Sequence, residues 1–202
     1  MRKDWFLILL VFTVVPATAQ RFHGGIMAGG VASQVQGDTY SGFYKPGFYC
    51  GGFAGLDVGK FSTFQLELDF IQKGSRKNSD TEKGDYTFYL LRLNYIEVPV
   101  IWQAHFLKRL TLEIGPAMDV LVGSHEETQD GEVENTVPLR TVNLNALAGF
   151  SCDIIPALKI NLRYIMSLTT IRDGSTTGYY KRFGVWGQYN DLLALSLWYR
   201  FK

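Results

Sequence analysis

The fold class this sequence predicts is all-β: an eight-stranded antiparallel up-and-down transmembrane β-barrel. Three observations predict it. Several segments alternate apolar and polar residues with period two, as the two faces of a strand do. Long polar or Gly-rich connections alternate strictly with short ones, the order a barrel needs when external loops are long and periplasmic turns short. The chain also begins with the pattern of an export signal.

Composition fits. Of 202 residues, 47% are hydrophobic and only 19% charged, which excludes a disordered chain. Aromatic residues reach 14%, and 21 Gly stand against 6 Pro, a balance that favours strands joined by tight turns. A net charge of +1 gives no reason to expect nucleic acid as a partner. Two Cys make neither a disulfide framework nor a four-Cys zinc site.

In chain order, Arg2 and Lys3 precede an apolar run, Trp5 to Val15, then Pro16 and the small-residue site Ala17-Thr18-Ala19. That is a secretory signal peptide over 1–19, leaving a barrel domain over 20–202. The run is too short for a membrane-spanning helix, which needs about 20 residues. Arg21 to Ser33 and Gly47 to Lys60 are Gly-rich strands whose neighbours' side chains crowd the interior. Next, Leu66, Leu68 and Phe70 oppose Gln65, Glu67 and Asp69. Thr87 to Trp102 slips phase: Leu91 and Leu93 fit one face, but Ile96, Val98 and Val100 continue it one position late. That slip predicts a β-bulge near Tyr95. Leu112, Ile114, Met118, Val120 and Val122 oppose Thr111, Glu113 and Asp119. Val142 to Cys152, Leu158 to Leu168 and Leu193 to Phe201 repeat the alternation. The long connections are 34–45, 75–85, 124–137 and 172–190. The short ones lie near Gly59–Phe61, Leu107–Arg109 and Ile155–Ala157.

A membrane requires a closed barrel, because every backbone N–H and C=O must pair without water. The apolar face then meets lipid, and the other face holds a lumen network: Glu67, Asp69, Arg92, Glu97, Glu113, Asp119, Arg163 and Arg200. Phe48, Tyr49, Phe70, Tyr86 and Phe88 at the external end form one aromatic girdle. Phe22, Phe61, Trp102, Phe106, Tyr199 and Phe201 form the periplasmic one.

Asn94-Tyr95-Ile96-Glu97-Val98-Pro99-Val100 resembles the Tyr-Leu-Glu-Ile-Pro segment of the PorT-like outer-membrane β-barrel family, common in Bacteroidetes. Gly115-Pro116 with Val120-Leu121-Val122-Gly123 resembles that family's next strand, and Arg163-Tyr164 and Trp198-Tyr199-Arg200-Phe201 fit as well. The resemblance covers essentially the whole mature chain. It implies a barrel in the outer membrane of a Gram-negative cell envelope, among its lipid and lipopolysaccharide. It also implies insertion machinery that reads the C-terminal aromatic strand, and it implies no single biochemical activity. Lys202 after the terminal Phe departs from the pattern.

The interior acids need partners, and Arg side chains supply bidentate ones. An eight-stranded barrel is about wide enough for its own side chains to fill. The expectation is a plugged polar lumen and a structural or interaction role, with porin-like transport of small solutes or hydrophobic compounds as the alternative. Ser124-His125-Glu126 has the residue types of a hydrolytic triad, but a triad must converge in space and there is no nucleophile elbow or H-E-x-x-H motif. No enzyme activity and no cofactor are expected. Glu126, Glu127, Asp130, Glu132 and Glu134 lack EF-hand spacing and read as a solvated acidic loop, not a metal site. Cys50 and Cys152 fall on opposite walls, beyond the roughly 7 Å of a disulfide, and are expected to be free. The longest loop, 172–190, interleaves aromatics with Gly. Tyr180, Arg182, Phe183 and Trp186 are its candidate contact surface for a protein or glycan. Two competing readings are an upper girdle of its Tyr and Trp, and a neutralisation of lipopolysaccharide phosphates by Lys181 and Arg182.

Overall fold

The computed structural model describes residues 22–40, 42–133, 137–173 and 180–201. The signal peptide assigned to 1–19, Glu134 and Lys202 lie outside them.

Eight long strands build the wall: β1 (Phe22–Gln36), β2 (Lys45–Val58), β3 (Ser62–Lys77), β4 (Tyr89–His105), β5 (Leu110–Thr128), β7 (Val142–Ile155), β8 (Leu158–Ser167) and β11 (Val185–Arg200). Three two-residue strands, β6 (Gly131–Glu132), β9 (Arg172–Asp173) and β10 (Lys181–Arg182), extend the wall on the external side. Each wall strand pairs antiparallel with the next, and β11 pairs back onto β1 from Gly25↔Arg200 to Gln36↔Tyr189. The sheet is therefore a closed ring. No wall strand is left as an edge, which is the condition for crossing lipid with strands. No helix among the described residues is long and apolar enough to cross a membrane.

Period two sorts the side chains. Leu66, Leu68, Leu112, Ile114, Leu144, Leu195 and Leu197 stand exposed on the outside, while their neighbours in sequence are buried in the bore. On β5 the outward apolar positions run from Leu110 to Val122. At ~3.3 Å per residue and a tilt of ~45° this band is about 28 Å tall, the height of a bilayer's hydrocarbon core. Phe22, Phe61, Trp102, Phe106, Tyr199 and Phe201 are exposed at the periplasmic rim, and Phe48 and Tyr86 at the external one. Tyr49 departs from the expected girdle. It points inward and is fully buried.

The loop order is as the sequence predicts, but the strands reach further out. β1 continues to Gln36, β3 to Lys77 and β5 to Thr128. The bulge lies at the predicted level on the other strand. Asn94 pairs with Gly123 and Tyr95 with Leu121, so the extra residue is Val122 of β5. β4 keeps its phase: Leu91, Leu93 and Tyr95 are buried inside, and Ile96, Val98 and Val100 face out.

The Gly-rich strands sit where the interior is most crowded. A Cβ at Gly51 would lie 2.1 Å from Asp69 Oδ1, and one at Gly29 would lie 2.1 Å from the Leu195 carbonyl. Both glycines point into the bore beside Tyr49, Phe53 and Trp198, and they leave these large side chains their space.

Candidate functional site

The bore is filled by polar side chains in storeys. In the inner storey Arg163 of β8 is fully buried and reaches across to three other strands. Its Nε donates to Glu113 Oε1 of β5 at 2.7 Å. Nη1 and Nη2 donate to Glu67 of β3 at 2.8 and 3.1 Å, and Nη1 also donates to the Tyr49 hydroxyl at 2.9 Å. The guanidinium lies 5.3 Å from the ring centre of Trp198. Arginine's rigid fork suits this many-sided role, which a point-charge ammonium could not fill.

One storey up, Lys73 Nζ donates to Glu97 Oε2 at 2.8 Å and to Asp119 Oδ2 at 2.7 Å. It sits over the Tyr95 ring at 5.4 Å. Asp69 accepts from the Tyr49 hydroxyl at 3.3 Å and stands opposite Glu97 across the β3–β4 ladder. The acids Glu67, Asp69, Glu97, Glu113 and Asp119 outnumber the cations Lys73 and Arg163, and amides answer part of the excess. Gln65 donates to Glu67 at 2.6 Å, Asn161 to Glu113 at 2.9 Å and Asn145 to Glu97 at 3.2 Å. A third storey closes the external end: Arg172 pairs with Glu126, which also accepts from the Tyr89 hydroxyl at 2.8 Å.

Six of the eight proposed lumen residues, Glu67, Asp69, Glu97, Glu113, Asp119 and Arg163, therefore meet inside. Arg92 does not. It shares the outward phase of Asn94 and Ile96, is exposed, and pairs across the ladder with His125 above the apolar band. Arg200 lies below the network, lining the periplasmic mouth with Asp153, Lys159 and Trp198. Lys73 takes the place assigned to Arg92. The alternation read from the sequence stops at Phe70, and carrying its inward phase from Glu67 and Asp69 through Ile71 reaches Lys73.

Ser124, His125 and Glu126 do not converge. His125 faces outward toward Glu127 at 3.7 Å and Glu132 at 3.2 Å, while Glu126 is bound inside to Arg172 and Tyr89. Cys50 and Cys152 are free thiols on the outward phase of β2 and β7.

The long loop splits its four contact candidates. Lys181–Arg182 pairs with Val185–Trp186 across a two-residue turn, and both turn residues have positive φ, Phe183 at 48° and Gly184 at 86°. Arg182 clasps Asp191 with two bonds of 2.8 and 2.9 Å and donates to the Ser167 carbonyl at 2.8 Å. Its guanidinium packs over the rings of Tyr189 at 5.0 Å and Tyr180 at 5.5 Å. The Tyr189 hydroxyl donates to the carbonyls of Val185 and Arg182. Arg182 and Tyr180 are thus the clasp of the hairpin rather than its contact face. Phe183 (71% exposed), Val185 and Trp186 form an apolar tip.

A family model described as Outer membrane protein beta-barrel domain matches residues 18–173. No curated protein matches the sequence. Among solved structures, the crystal structure of Neisserial surface protein A is similar with a TM-score of 0.57 at 12% identity, covering 88% of this chain and 97% of that one. The crystal structure of Ail, the attachment invasion locus protein of Yersinia pestis, in complex with the heparin analogue sucrose octasulfate, is similar with a TM-score of 0.50 at 14% identity. It covers 90% of this chain and 99% of that one. At these identities the likeness is one of fold.

Proposed function

Because this chain belongs to the outer membrane protein beta-barrel domain family, and so is an integral β-barrel of a Gram-negative outer membrane, we propose that it is a non-enzymatic barrel with a closed lumen that acts through its external surface. The resemblance of its Asn94–Val100 segment to the PorT-like family supports a reading within that branch.

The observation that carries the closed lumen is the reach of Arg163. One guanidinium bonds to β3 and β5 from β8, so the plug is tied to wall strands on several sides of the bore. A water path would have to displace charged groups whose partners are already placed, and separating a buried pair costs about 3–5 kcal/mol. Outside the membrane, the apolar tip of Phe183, Val185 and Trp186 is the contact face for a protein partner. The two-residue turn holds Phe183 at positive φ, which sets its side chain at the exposed end of the hairpin.

Single-channel recording in planar bilayers tests the closed lumen. The expected outcome is no stable conductance. A steady, reproducible ionic current would replace this reading with transport of small solutes.

A further inference from the structure

Among the described residues, the external end carries a cavity of a size to hold a ligand. It is a cleft open to solvent between the β1–β2 loop and the outer end of β3, with a volume of about 440 Å³, within the roughly 300–1,000 Å³ of small-molecule sites. Thr39, Tyr40, Tyr44, Arg76, Lys77 and Asn78 line it. We propose that this cavity binds an anionic saccharide, a sugar bearing sulfate or phosphate groups. The proposal rests on the reading that the external surface, not the lumen, does this protein's work.

The walls are set before any ligand arrives. Asp38 Oδ1 accepts the Tyr40 N–H at 2.9 Å and fixes the turn that carries Thr39. Thr39 holds φ at 70°, a left-handed conformation that a β-branched residue rarely adopts. Tyr40 stacks on Tyr89 with ring centres 4.9 Å apart. Lys77 Nζ lies 5.6 Å over the Tyr40 ring and is held there by Asp85 at 2.7 Å.

The chemistry of the lining selects the ligand. Arg76 donates through Nε to Asn78 Oδ1 at 2.7 Å, which fixes the guanidinium while leaving its two terminal nitrogens to form a fork. Such a fork matches the oxygens of sulfate or phosphate. Tyr44, 71% exposed, offers an open aromatic face for the C–H side of a sugar ring. The Thr39 hydroxyl and the Asn78 amide add hydrogen bonds for ring hydroxyls. A purely apolar ligand would leave these groups unpaired, and a cation would face Arg76 and Lys77.

Two sources share this chemistry: phosphorylated sugars of the surrounding lipopolysaccharide and free sulfated glycans. The test is calorimetric titration of the full chain, refolded free of lipopolysaccharide in detergent, with sucrose octasulfate and with neutral sucrose. Saturable binding of the sulfated sugar alone is expected, weakened at least about tenfold by Arg76→Gln or Tyr44→Ala and unchanged by Lys83→Gln, a solvent-facing cation outside the cavity. Heat-modifiable gel migration of each variant controls for folding. Displacement by delipidated core oligosaccharide or by micellar lipopolysaccharide supports the site and names the membrane's own sugar as its source. Failure of both to displace supports it as a site for free glycans. Equal losses in Arg76→Gln and Lys83→Gln would reduce the effect to diffuse charge and overturn the proposal, as would no saturation. Conductance measurements are independent of either result, so failure of this site and failure of the closed lumen are told apart.

Discussion

Arg163 joins β8 to β3 and β5 through a single side chain, and it is also where the sequence was most informative. An Arg in the polar phase of a lipid-facing strand has nowhere to go but the bore. The same argument fails for Arg92, because above the lipid band the outside is wet and phase no longer separates polar from apolar. Truncating Arg163 to Met leaves Glu67 and Glu113 buried opposite no cation. The expected loss is about 3–5 kcal/mol, read as a lower urea midpoint in detergent, with Arg163→Lys recovering only part of it because an ammonium cannot serve both acids and Tyr49. Asp38, in the first external loop, tests a different balance. Burial pushes its carboxyl up from 3.8 to about 6 against the pull of its bonds to Ser75 and the Tyr40 N–H. A raised folded pKa means the carboxyl favours the folded loop fully below pH about 4, and that contribution is lost as pH rises through about 6. Asp38→Asn should therefore slow amide exchange in the loop several-fold at pH 8 relative to the parent chain and change nothing at pH 4. Faster exchange in the variant at pH 8 would contradict the assignment.

At the scale of elements, strands were legible where lipid enforces an apolar face and ambiguous where it does not. β7, β8 and the lower part of β11 alternate cleanly because every second residue meets hydrocarbon. The upper part of β4 does not, because Leu91 and Leu93 pack inward under the external loops and mimic a lipid face. The change of face reads as a bulge in β4, whereas β4 keeps its phase and the extra residue of the pairing is Val122 of β5. The β10–β11 hairpin was beyond sequence reasoning for a related reason. Nothing in the order Lys181-Arg182-Phe183-Gly184 announces that Arg182 folds back onto Asp191, six residues past the turn partner Val185. The geometry now separates shape from contact. Replacing Phe183 with Asn, which tolerates positive φ, and Val185 and Trp186 with Ser should preserve the hairpin and the heat-modifiable shift while abolishing capture of a co-purifying protein. Retention of that protein by the triple variant would move the contact surface elsewhere.

At the scale of the molecule, the ring is closed by its own ends. β1 and β11 pair along their length, and the Phe201 N–H donates to the Gly24 carbonyl at 2.8 Å. The ends of the described chain are therefore neighbours at the periplasmic rim, and the choice of which turn is cut is topologically free. A circular permutant that joins 201 to 22 through a short Gly-Ser linker and opens at Gly59 should refold in detergent with the same gel-mobility shift as the parent. A permutant that never shifts would mean that strand order, and not ring closure alone, directs folding.

The two thiols have a consequence of their own. Cys50 stands beside Phe70 in the outer half of the wall, and Cys152 stands beside Leu110 near the inner rim, both on the hydrocarbon side. The bilayer hides them from water-soluble oxidants, so unpaired sulfhydryls persist in an oxidising compartment. Each also reports on a different sheet of an asymmetric membrane. A lipid-soluble, environment-sensitive dye attached to Cys50 would read the outer leaflet, and one attached to Cys152 the inner leaflet, giving this barrel a native depth gauge on opposite walls.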